Sequence, residues 1–119
     1  MFDDGTPIFA QLAEQLGSDI LSGAYPEGTQ VPSINELAVF YRINPATANR
    51  AVAGLVAQGV LEKRRGIGMF VAAGSRERIA AERRAGLVER YIRPLLDQAR
   101  VLGLDMTQLV QLIEREARS

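Results

Sequence analysis

The sequence predicts a mainly α fold with one small β-hairpin, followed by a short C-terminal segment of two helices. Three observations carry this. Apolar residues recur at three- and four-residue spacing through most of the chain. That period gives way to alternation only around the basic, glycine-rich run at residues 63–68. Beyond Gly74 the composition shifts toward Ala, Glu and Arg, which sets a boundary between residues 1–73 and residues 74–119.

The first helix has Thr6 as its expected N-cap and Pro7 at the first helical position, where a missing N–H costs nothing. Ile8, Phe9, Leu12, Leu16 and Ile20 form its stripe, and Ser22-Gly23 ends it. The stretch from Ala24 to Pro32 reads as a turn and then a short extended piece, because Pro32 pushes Val31 toward the β region. Ser33-Ile34-Asn35-Glu36 is a capping box that opens a short second helix, with Ile34, Leu37, Ala38 and Tyr41 on one face. After Arg42-Ile43 a third helix is entered by Asn44 and Pro45. Its buried stripe is Ala48, Val52, Leu55 and Val56, and Gly59 closes it. Two helices joined by a turn of about four residues make a helix-turn-helix. Val60-Leu61-Glu62-Lys63 and Met69-Phe70-Val71-Ala72 then read as strands about a glycine-bearing turn, which is a wing. Its expected tip holds three adjacent cations, Lys63, Arg64 and Arg65, suited to phosphate or a minor groove.

Beyond Ser75, the residues Ile79, Leu87, Val88, Tyr91 and Ile92 lie on one helical face, and Pro94 either kinks or breaks that helix. Leu95, Leu96, Ala99 and Leu102 continue the stripe. Asp105-Met106-Thr107-Gln108 opens a last helix through Leu109, Leu112 and Ile113. Two helices cannot enclose a core of their own. The stripe residues Leu87, Tyr91, Leu95, Leu102, Leu109, Leu112 and Ile113 are therefore expected to pair with a second copy, as in proteins that read two half-sites.

Charge and composition exclude several functions. The formal net charge is zero, and residues 1–73 carry five basic residues against seven acidic ones, so bulk charge does not announce a nucleic-acid partner. What favours one is placement, since four of those five cations fall on or beside the third helix and the wing. Cysteine and histidine are both absent. Disulfides, thiolate metal sites and the commonest general base go with them, and the carboxylates are scattered, so neither an enzyme nor a metal or cofactor is expected. No apolar run approaches the ~18–20 residues that cross a bilayer. The acidic start MFDDGTP does not read as a signal peptide, and the expected location is cytoplasmic, with no membrane partner.

Residues 7–71 resemble the N-terminal domain of the GntR family of bacterial regulators. The resemblance rests on Pro7-Ile8-Phe9-x-Gln11-Leu12, Ile20-Leu21-Ser22-Gly23-x-Tyr25-x-x-Gly28 and Val31-Pro32-Ser33. Glu36-Leu37-Ala38, Gln58-Gly59-Val60-Leu61 and Gly66-Ile67-Gly68-Met69-Phe70-Val71 continue it in register. The run from Asn44 to Ala51 is similar to the recognition-helix start of the YtrA-like subfamily, whose C-terminal part is also short and helical. The resemblance implies a DNA-binding transcription repressor, a homodimer on a palindromic double-stranded operator, with control of a transporter operon. It implies that Asn44, Ala46, Thr47, Asn49 and Arg50 enter the major groove, with Arg50 the leading base reader because a guanidinium pairs bidentately with guanine. Ser33 and Asn35 would touch phosphate, and Gly66 would lie against the minor groove. Many family members have Arg where this chain has Asn35 and Pro45, which shifts weight onto Arg50 and the wing. The alternative is a winged-helix module that binds protein and not DNA. Whether a small-molecule effector exists is open on the sequence.

Overall fold

The computed structural model describes residues 5–119; the Met1 to Asp4 part of the acidic start lies outside the described residues. The chain forms two compact units, Met1–Ala81 and Glu82–Ser119.

In the first unit, α1 (Ile8–Ser22), α2 (Ile34–Tyr41) and α3 (Pro45–Ala57) precede a hairpin of β1 (Leu61–Arg64) and β2 (Gly68–Val71), and α4 (Ser75–Leu87) begins there. Helix α3 packs on both α1 and α2. Ala48 and Ala51 are buried on it, and these small side chains let the backbones approach while Leu12, Leu16, Ile20, Leu37, Val52 and Leu55 fill the centre. The helix starts are built from local chemistry. Ser33 and Glu36 complete the capping box of α2, and the Asn44 side chain accepts from the Ala46 amide ahead of Pro45. At α1 the expectation is corrected: Pro7, not Thr6, holds the N-cap position and has no side-chain cap. The Thr6 carbonyl instead accepts from Gln11 Nε2.

The wing is shifted by one residue from the expected strands. Val60 is left out of β1 because its amide donates to the Leu55 carbonyl, closing α3 through left-handed Gly59. Arg64 pairs with Gly68, and the Ile67 amide donates to the Arg64 carbonyl, so the turn itself is Arg65-Gly66-Ile67. The extended piece before α2 adds to the sheet. Gly28 and Val31 amides donate to Val71 and Met69 carbonyls, Val71 donates to Thr29, and Gln30 bridges Phe70.

The hairpin ends near the boundary expected after residue 73, yet the compact unit runs on to Ala81. Buried Ser75 donates from Oγ to the Val60 carbonyl at 2.6 Å, and Ile79 joins the core. The Glu27 carboxylate accepts from the Gly74 and Arg76 amides, where a helix N-terminus favours negative charge. Arg76 Nε donates to the Leu21 carbonyl and an Arg78 guanidinium N–H to the Gly59 carbonyl.

In the second unit, Pro94 neither breaks nor ends the helix. A π-helical turn, Val88–Ile92, precedes α5 (Arg93–Val101), and the Arg93 amide donates to Val88, five residues back. Proline lacks an N–H and its ring crowds the carbonyl four residues before it; widening the turn just ahead relieves both problems. Left-handed Gly103 stops α5, with Leu104 donating to Ala99, and an Asp105–Gln108 capping box opens α6 (Met106–Ala117). Ala99 and Leu109 are buried, but the remaining stripe is not. Leu87, Tyr91, Leu95, Leu102, Leu112 and Ile113 are all exposed, and Leu102 at 70% is the most open of them. Between α5 and α6 lies an apolar groove of about 350 Å³.

Candidate nucleic-acid interface

The helix-turn-helix presents its polar residues where the helices start. On α2, the Ser33 amide donates to Glu36 Oε1 at 2.9 Å and Ser33 Oγ accepts from the Glu36 amide at 3.1 Å. The Ser33 N–H and hydroxyl hold the Glu36 carboxyl below its ordinary value of 4.5. The ionised carboxylate is thus tied to the cap, while Ser33 and Asn35 are both exposed at the start of the helix. On α3, Asn44 Oδ1 is occupied by the Ala46 amide at 2.8 Å, which leaves the Asn44 amide group as its free donor. Asn44, Ala46, Asn49 and Arg50 are exposed and Thr47 is half-buried.

Arg50 is not a free arm. Its guanidinium carbon lies 3.8 Å from the centroid of the Phe9 ring on α1. Stacking fixes the plane of the guanidinium but leaves its N–H edges open, and those edges are what pair with a guanine. The sequence places Phe9 in the core stripe; its role under Arg50 becomes visible only with α1 and α3 packed.

The expected cluster of three cations at the wing tip is corrected. Only Arg65 lies in the turn, beside Gly66. Strand residues alternate faces, so Lys63 opposes Met69 on one face, while Glu62 and its partner Phe70 lie on the other. Arg64 sits 4.0 Å over the Phe70 ring and pairs with Glu62 at 3.0 Å. Its charge is therefore partly offset in place.

The wing has a brace that no local sequence signal marks. Gln30 Nε2 donates to the Ile67 carbonyl at 3.0 Å, across 37 residues. Gly68, at φ 142°, makes room for it: a Cβ there would collide with Gln30 Nε2. Gln30 lies three residues before Ser33, so a single short segment links the wing tip to the start of α2. No group of three or more acidic or metal-ligating side chains able to hold a metal occurs among the described residues.

Residues 9–71 match the family model for bacterial regulatory proteins of the gntR family. The chain belongs to the GntR family. Over nearly its whole length it resembles the HTH-type transcriptional repressor YtrA of Bacillus subtilis, at 27% identity over 109 residues, 92% of this chain and 83% of that one. A structure described as a putative GntR-family transcriptional regulator from Bacteroides thetaiotaomicron superposes with a TM-score of 0.80 at 30% identity, covering 93% of this chain and 96% of that one. The DNA-binding domain of AraR in complex with operator ORX1 superposes with a TM-score of 0.57 at 31% identity, covering 60% of this chain and 93% of that one. This GntR protein is a DNA-binding transcription regulator built on a winged helix-turn-helix, and the match to YtrA bears out the subfamily resemblance. The reading as a winged-helix module with no DNA role falls with that membership. No helix among the described residues is long and apolar enough to cross a membrane.

Proposed function

We propose that this GntR protein is a cytoplasmic repressor that binds a two-fold-symmetric operator as a homodimer, paired through the Glu82–Ser119 unit. The observation that carries the dimer is the exposure of Leu95, Leu102, Leu112 and Ile113 around the groove between α5 and α6. A contiguous apolar surface of this kind is costly in water and marks a contact. Leu109 is the exception among the expected pairing residues. At 4% exposure it is covered inside its own chain, and the proposed interface leaves it out. The small size of this unit also supports a second copy, because two short helices bury too little apolar surface to stand alone.

In this reading the start of α3 enters the major groove, with Arg50 and Asn49 reading base edges and Thr47 and Ala46 setting close contact. Ser33 and Asn35 position α2 on phosphate. Lys63, Arg64, Arg65 and Gly66 are proposed to contact DNA at the wing, with Arg65 contributing most because its charge lies in the turn. Repression is proposed by analogy with YtrA. Sedimentation of the full chain over a range of concentrations tests the dimer. A single two-copy species supports it, and replacing Leu102 with Asp should convert that species to monomer. A full-chain monomer at high concentration would refute it.

A further inference from the structure

We propose that Arg42 is a DNA-backbone contact: a guanidinium kept at a left-handed turn position because it binds a phosphate beside the groove that α3 enters. Arg42 has φ 56° and is the only non-glycine residue with a positive φ among the described residues. The turn is a complete helix stop, in which the Ile43 amide donates to Ala38 and the Arg42 amide to Val39. The same two-bond stop recurs after α3 and α5, and there the left-handed residue is Gly59 or Gly103. Glycine adopts that conformation without the clash a Cβ meets, so an arginine here is the less stable choice.

Charge and position say what the arginine is for. From Ser33 to Ala57 the basic residues are Arg42 and Arg50 alone, and Arg50 is stacked on Phe9. Arg42 is exposed, and its side chain has no hydrogen-bond or ion-pair partner among the described residues. Ile43 packs inward against the core while Arg42 stays outside. Arg42 also lies two residues before Asn44, the cap of the helix end assigned to the groove. With arginine absent at Asn35 and Pro45, this is the unpaired cation on the helix-turn-helix best placed to hold the sugar-phosphate backbone.

The inference rests on the docking of α3 on the duplex, and the test separates the two. Arg42→Gly, Arg42→Lys and Arg50→Ala are made in the full chain, and each is titrated with a mixed-sequence duplex and with a duplex selected by the wild type, across a salt series. Arg42→Gly should raise the Tm by about 2–5 °C, the relief of left-handed strain less the added freedom of the unfolded chain. At the same time it should weaken binding to both duplexes by about 3–10-fold and make the log–log salt slope shallower by about 0.9. Arg42→Lys should keep the slope. Arg42→Gly with unchanged affinity and slope overturns the proposal, as does weaker binding with an unchanged slope. If Arg50→Ala still relaxes sequence preference in that case, the docking of α3 stands and only the Arg42 contact fails. If neither substitution affects either duplex, both fail.

Discussion

Replacing Gln30 with Met removes the donor that braces the wing while keeping a side chain of similar length. The lost contact is the 3.0 Å hydrogen bond from Nε2 to the Ile67 carbonyl. Both groups are solvent-accessible, so the net contribution of such a bond is about 0.5–1.5 kcal/mol. That energy orders the turn bearing Arg65 and does not hold the core, whose residues lie elsewhere. Thermal stability should therefore change little, while the ordering cost reappears in DNA affinity. At about 1.4 kcal/mol per tenfold, binding to any duplex should weaken by roughly 2–12-fold. Fluorescence anisotropy in a salt series should show a slope shallower by up to about one unit as the turn cation loses its phosphate. Trypsin should cut faster after Arg64 or Arg65. Gly68→Ala should disturb the same brace in DNA binding, because its Cβ would displace Gln30 Nε2, and it should also lower stability by placing a side chain at φ 142°. The two substitutions together should then be less than additive. Unchanged affinity, slope and cleavage in Gln30→Met would refute the idea that this brace positions the wing.

Three further outcomes follow from the same geometry. Arg50→Ala should cost about 1–3 kcal/mol on the preferred duplex and little on mixed sequence; equal losses on both would show that Arg50 holds only phosphate. Glu36 has a depressed carboxyl pKa from its Ser33 bonds, so its contribution is full above the ordinary 4.5 and is lost as pH falls through the lower folded value. Glu36→Gln, which does not titrate, should accordingly lose less stability than wild type on acidification, and parallel acid unfolding curves would contradict this. A chain ending at Ala81 should fold as a monomer, because it keeps Ser75 and Ile79 in place. One ending at Gly74 should be clearly less stable by calorimetry, and equal stability of the two would show that the start of α4 adds nothing to the head.

What the sequence makes legible is what is local. The capping boxes at Ser33 and Asp105, the Asn44-Pro45 start and the stop at Gly23 each lie within four residues, and every one forms. The winged helix-turn-helix follows from their order. Contacts between distant segments are another matter. Gln30 meets Ile67 across 37 residues and Glu27 reaches Gly74 across 47, and nothing in either neighbourhood signals them. The wing cations look like one cluster in the sequence, but the strand pleat sends Lys63 and Arg64 to opposite faces. Pro94 is ambiguous for a different reason: a proline can kink, break or be absorbed by a π turn, and the choice depends on how the turn before it relaxes. Arg42 is legible only as a charge, since its left-handed backbone is set by the helix stop around it.

Two copies of the winged head are proposed to read one operator together. Selection of bound duplexes from a random pool by the full chain tests it most directly. The predicted result is an inverted repeat whose half-sites are centred about one helical turn apart, or a multiple of it. Enrichment of a lone half-site, or of no sequence at all, would contradict it.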